Sequence, residues 1–143
     1  MNRILLSLLL FFSFPAYNAS PPIALSSGDI GIAWNAETPT PGNGLASASQ
    51  QFTIFNTNNV GGTPFSVDGK FSGAPGTFEV DVQVASTDSD TNYQTCSNCN
   101  ITTVDSVNNT FHLDAVQVNT RFIRLLMRSR ANSVSITANF TGG

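Results

Sequence analysis

Charge is what this sequence has least of. Only 10% of its 143 residues are Asp, Glu, Lys or Arg, against about 25% in an ordinary soluble domain. Six basic residues face nine acidic ones, for a formal net charge of −3 and a pI near 4.7. A basic face for phosphate backbones is missing, which argues against nucleic acid as a partner. Histidine is almost absent. His112 is the only one, so the C-x-x-C of Cys96 and Cys99 lacks the further ligands a zinc site needs. No apolar run reaches the ~20 residues that cross a bilayer as a helix, and no stable membrane span is expected. A G-x-S-x-G elbow that would order a serine against His112 and Asp114 is also missing. Glu79 and Asp81 share a strand face as a glycosidase carboxylate pair would, but the simpler reading is the solvent side of a clean strand. Nothing implies a cofactor, and the chain is not expected to be an enzyme.

What is present is apolar and polar-uncharged. Hydrophobic residues make up 41% of the chain, including eleven Phe, enough for a core with a large aromatic share. Asn, Thr and Ser fill the polar positions, a surface common outside cells and in virion shells. The chain opens with Arg3, an apolar run from Ile4 to Phe14, the breaker Pro15 and small residues at Ala16, Ala19 and Ser20. That is the order of a secretory signal, with cleavage expected after Ala19. Residues 1–19 are therefore read as a leader and 20–28, with Pro21 and Pro22, as a linker. Residues 29–143 are read as a single domain, and the location as extracellular or on a virion surface.

From Asp29 onward, short apolar alternations are separated by turn residues. Ile30, Ile32 and Trp34 form the first. The clearest is Thr77–Ala85, with Phe78, Val80, Val82 and Val84 on one face and Glu79, Asp81 and Gln83 on the other. Ser86–Asn100 reads as a long polar loop. Ile101–Val107, Thr110–Val118, Arg121–Ser129 and Ser133–Thr141 read as further strands, with turn chemistry at Asn56–Pro64 between earlier ones. The expectation is an all-β, antiparallel two-sheet β-sandwich, jelly-roll-like, of about eight strands.

Four features carry candidate chemistry. In an exported chain, Cys96 and Cys99 are expected to close a small disulfide. Asp88, Asp90 and Asn92 match the first half of a calcium loop, but Tyr93 stands where that loop needs Gly and Cys99 where it needs Glu. The simpler reading is a solvated turn, so no metal is assigned. Arg121, Arg124, Arg128 and Arg130 gather four of the six basic residues in one stretch. They are read as solvent-facing strand charge that blunts an edge, or as a strip that pairs with a partner's carboxylates. Tyr93, on the polar loop, is the aromatic best placed to stack on a sugar. Asn-x-Ser/Thr triplets at Asn18, which lies at the cleavage site, and at Asn100, Asn108 and Asn139 would matter only in a eukaryotic secretory path.

Phe78-Glu79-Val80-Asp81-Val82-Gln83-Val84-Ala85-Ser86, with Asp88 and Tyr93 after it, resembles the strand entering a polar loop in galactose-binding-like modules. Thr120 through Leu125 is similar to the penultimate strand of those modules. Pro75 through Gln83 and Arg121 through Asn132 also resemble strands of small β-sandwich proteins encoded among phage structural genes. The likeness covers residues 65–141, implies a β-sandwich, and carries no catalytic residue across. Two functions follow as expectations. One is a structural subunit of an extracellular or virion surface assembly, which associates with itself or a larger scaffold. The other is a secreted carbohydrate-binding module that takes a glycan.

Overall fold

The computed structural model describes residues 21–54 and 63–142. The leader 1–19 and nearly all of the turn at 56–64 lie outside that set. Within it the chain is all-β: β1 (Ile23–Leu25), β2 (Ile30–Glu37), β3 (Phe52–Ile54), β4 (Thr63–Phe71), β5 (Phe78–Ala85), β6 (Gln94–Ile101), β7 (Thr110–Val118), β8 (Phe122–Arg130) and β9 (Ile136–Gly142). One sheet runs β1-β3-β8-β5-β6 and the other β2-β9-β4-β7. All strand pairs are antiparallel except β1 with β3, which is parallel.

The order has a simple origin. β5 pairs with β6, β4 with β7, β3 with β8 and β2 with β9. The chain is thus folded back on itself near the β5–β6 connection into a doubled ribbon. Rolling that ribbon brings β8 beside β5 and β9 beside β4, giving two sheets whose inner faces share one core. Phe65, Val67 and Phe71 come from one sheet, and Val80, Val82, Ile123, Leu125 and Met127 from the other. Phenylalanine rings bridge them in edge-to-face contacts, Phe140 with Phe52 and Phe71 with Phe78, while Phe140 also meets Phe65 within its own sheet. Such pairs add roughly 0.5–1.5 kcal/mol each beyond the area they bury. Gly69 sits opposite Phe111 in the β4–β7 ladder. A Cβ there would lie 1.9 Å from the Phe111 ring, so this position holds glycine because an aromatic fills its space.

The strand Thr110–Val118 lies where the alternation put it, and Phe78, Val80 and Val82 face the core as expected. Four expectations are corrected. There are nine strands among the described residues, because the stretch read as a linker, 20–28, contains β1 and sends Leu25 into the core. The stretch read as a polar loop, 86–100, is strand from Gln94, and the strand expected over 101–107 ends at Ile101. β6 has little apolar alternation; backbone pairing to β5 holds it. Beyond it, Asp105 accepts from the Val107 amide at 2.9 Å and from Asn108 Nδ2 at 2.7 Å, an Asx turn in place of a strand. Finally, Ile30 and Ile32 face solvent instead of the core. Gly31 lies so close to Phe52 and Leu25 that a Cβ would approach within 2.6 Å. A register shift between Ile32 and Trp34 then buries Ala33 and Trp34 together.

Candidate functional site

On the outer face of the five-stranded sheet, the alternation of β5 points Asp81 and Gln83 away from the core. β8 does the same with Arg124. This face is covered, and the expectation of solvent-facing charge fails here. Arg124 and Asp81 are each 3% exposed. The Arg124 Nε donates to Gln83 Oε1 at 2.9 Å and its Nη1 to Asp90 at 2.7 Å, while its guanidinium lies 4.0 Å from the Tyr93 ring centre. Asp81 accepts from Arg128 Nε at 2.5 Å, Asn100 Nδ2 at 2.6 Å and Thr95 Oγ1 at 2.8 Å. Burial alone would raise the Asp81 carboxyl. The hydrogen bonds from Arg128, Asn100 and Thr95, with the Arg128 charge, outweigh it and hold the group below its ordinary value. Arg128 also donates to Asn43, which ties the loop after β2 to the network.

The four arginines do not form one strip. A register shift in the β5–β8 ladder between Glu79 and Val80 breaks the alternation near Arg128. Arg130 turns to the carbonyls of Val134 and Pro39, and Arg121, just before β8, stands 5.5 Å from the Phe122 ring. Arg124 and Arg128 hold separate networks, the first with Gln83, Asp90 and Tyr93 and the second with Asp81, Thr95 and Asn43, and in both the donors that would meet a partner's carboxylate are turned to acceptors within the chain.

Tyr93 is likewise not an open stacking platform. It is 7% exposed, Arg124 covers its ring, and its hydroxyl donates to Asp88 at 2.9 Å. Burial first, then the Asp88 contact, pushes the phenol above its ordinary value. Asp88 and Asp90 are therefore joined to Tyr93 and Arg124. Asn92 closes a short turn, donating its amide to the Ser89 carbonyl at 2.8 Å. Arg124 occupies the carboxylate that a cation would have to share. Among the described residues, no group of three His, Cys, Asp or Glu could hold a metal ion. Cys96 and Cys99 are bonded to each other, with Asn98 between them at φ 60°, so the disulfide clips a kink into the sheet's outermost strand. A disulfide fits an oxidising, extracellular setting, and no described helix is long and apolar enough to cross a membrane.

The outer face of the four-stranded sheet carries a trough of about 650 Å³ whose polar lining includes Asp68, Lys70, Asp105, His112, Thr137 and Asn139. Its centre is a histidine between two carboxylates. His112 Nδ1 lies 2.7 Å from Asp68 and Nε2 3.0 Å from Asp114. Both contacts favour the imidazolium, Asp68 more, and raise the His112 pKa. With both ring nitrogens engaged, neither is placed to take a proton from a nucleophile. Asp114 was legible two residues away in the sequence. Asp68 was not, since it reaches His112 only through the β4–β7 pairing.

The third feature is apolar. Where the chain crosses from β1 to β2, a shallow hollow is lined by Ile23, Leu25, Ile30, Ile32 and Phe52. Ile23, Ile30 and Ile32 are 51%, 68% and 55% exposed. The one charge beside them, the exposed Asp29, accepts the Ser26 amide at 2.8 Å. Apart from Asp29, the side chains of this corner carry no charge and cannot hydrogen-bond. It can do little except exclude water against another apolar surface. No family model matches this chain, and no curated protein or solved structure matches it.

Proposed function

We propose that this chain is a non-enzymatic structural subunit of an extracellular or virion surface assembly and acts through protein–protein contacts. The observation that carries the reading is the exposed isoleucine corner of β1 and β2, which gathers three of the four large hydrophobic residues exposed among the described residues. Three large aliphatic side chains gathered beside a sheet edge mark an interaction surface more often than scattered ones do. The strand order supports it. Strands interleaved as β2-β9-β4-β7 and β3-β8-β5-β6 suit a jelly roll, an architecture used by capsid and lectin domains. The internally paired arginines favour the same reading: the charge on the five-stranded sheet stiffens the subunit and leaves association to the apolar corner. Light scattering after size exclusion, over a wide concentration range, tests the proposal. A defined oligomer or recovery with a particle supports it, and a monomer that joins no particle overturns it.

A second reading, a carbohydrate-binding module, rests on the trough around His112, Lys70 and Asn139. Its polar groups suit sugar hydroxyls, and lectins share the jelly-roll architecture. Lys70→Ala with Asn139→Ala would abolish glycan binding. The aromatic contact once expected from Tyr93 is no part of this site.

A further inference from the structure

We infer that β2 is the edge at which two copies of this chain join, antiparallel and centred on Gly31, so that two four-stranded sheets become one continuous sheet. This rests on the structural-subunit reading and adds the partner, the strand and the register.

The other sheet edges are closed to such pairing, each in its own way. β1 follows directly on Pro21-Pro22, whose missing amides cannot donate to an added strand. β6 is kinked by the Cys96–Cys99 bond. β7 carries His112 and Asp114 on its outer face, and a register shift interrupts its ladder with β4 between Phe65 and Val67. β2 has none of these guards between Ile30 and Ile32. Past that point, Ala33 is already taken, since its carbonyl accepts the Gln50 amide at 3.3 Å.

The backbone there points the right way. The Asp29 carbonyl accepts the Gly142 amide at 3.0 Å, toward β9. In an antiparallel ladder the direction alternates by residue. Gly31 therefore faces β9, and the amides and carbonyls of Ile30 and Ile32 face the open side. A second β2, turned about a two-fold axis through Gly31, sets Ile30 against Ile32 of the other copy, and the reverse. Those become hydrogen-bonded pairs, and the four isoleucines gather on one outer face, opposite the core face against which Gly31 lies. The contact is self-complementary, as an isologous interface requires.

Charge does not oppose a second copy here, since the isoleucines carry none and Asp29 is the one acid that lines the corner. In this register, Asp29 falls opposite Ala33 and meets no carboxylate. Strand addition of this extent buries less than a standard interface, so the pair forms at micromolar or weaker affinity in solution and gains strength where copies are held close together.

The test uses the chain expressed from its full reading frame and purified as the cell processes it. Ile30→Cys and Ile32→Cys are made as separate variants and oxidised alone and mixed. Directly opposed residues in such a ladder have Cα atoms about 5.5 Å apart, within disulfide reach. The expected result is a cross-linked dimer from the mixture and loss of that product with either variant alone. Ile30→Thr with Ile32→Thr, both on exposed side chains, should weaken dimerisation roughly a hundredfold and leave the fold intact. Equal cross-linking in all three samples, or an oligomer unchanged by the threonine pair, overturns this inference and leaves the structural-subunit reading standing. A chain that is monomeric alone but joins a foreign scaffold does the same. A chain that is monomeric and joins nothing overturns both.

Discussion

Replacing Asp81 with Asn removes the one carboxylate that anchors Arg128 to the five-stranded sheet. Breaking a buried ion pair by removing one partner costs about 3–5 kcal/mol, because the other charge is left unpaired. The Arg128 side chain keeps 32% of its surface in solvent, where water screens the orphaned charge, and we place the cost of Asp81→Asn at about 2 kcal/mol. For a domain of this length that lowers Tm by roughly 8 °C. The assay is urea unfolding of a double-mutant cycle: wild type, Asp81→Asn, Arg128→Met and the pair. A coupling of about 1–2 kcal/mol is expected at neutral pH. The Asp81 pKa is lowered in the folded state, so its contribution is present above the unfolded value of about 3.9 and is lost as pH falls through the folded value. Wild type and Asp81→Asn should converge there. The reasoning is refuted if Arg128→Met costs the same with and without Asp81, or if the two proteins stay apart in acid.

Gly69→Ala should destabilise the protein by about 3 kcal/mol, since the Cβ meets the Phe111 ring and a packed core yields little; denaturant midpoints should show Phe111→Leu recovering part of that loss. Replacing Cys96 and Cys99 by serine opens a four-residue ring and should cost about 2 kcal/mol, with faster amide exchange confined to β6 and the adjoining part of β5. His112 should titrate above the ordinary value of about 6.5, and its stabilisation is present below the unfolded value and fades as pH rises through the folded one. NMR of the ring protons should show a fall toward the ordinary value in Asp68→Asn, and a smaller fall in Asp114→Asn.

The sequence showed the strands that carry an inner apolar face and was silent about what covers the outer ones. Phe78, Val80 and Val82 announced β5, and Phe111 helped announce β7, because period-two burial is a local signal. Asp81 and Gln83 read as solvent-facing because alternation tells which side a residue takes, not whether something lies over it. What covers them comes from Thr95 and Asn100 on β6 and from Arg128 and Arg124 on β8, all distant in the chain. β6 escaped notice for the opposite reason: Gln94 to Asn100 is polar almost throughout, and an outermost strand needs only backbone pairing. Ile30 and Ile32 were visible as an alternation with Trp34, but the shift that turns them outward follows from Gly31 lying against Phe52, a contact no local pattern encodes. The candidate association surface was thus present in the sequence as residues but not as a surface.

β9 enters the four-stranded sheet between β2 and β4, although β2 precedes it by about a hundred positions, as the pairing of Ile30 with Thr141 shows. During synthesis β2 therefore waits for its partner until β9 is made. The five-stranded sheet and the β4–β7 pair draw only on strands that precede β9, but β2 cannot join β4 and β7 until β9 is made to lie between them. Folding should be slow and all-or-none, as non-local pairing dictates. A chain cut short before Ile136 would not be a smaller version of the same protein. It would leave the sides of β2 and β4 that β9 covers unpaired, in addition to the edges the intact sheet already has, and would be prone to clump before it could be used.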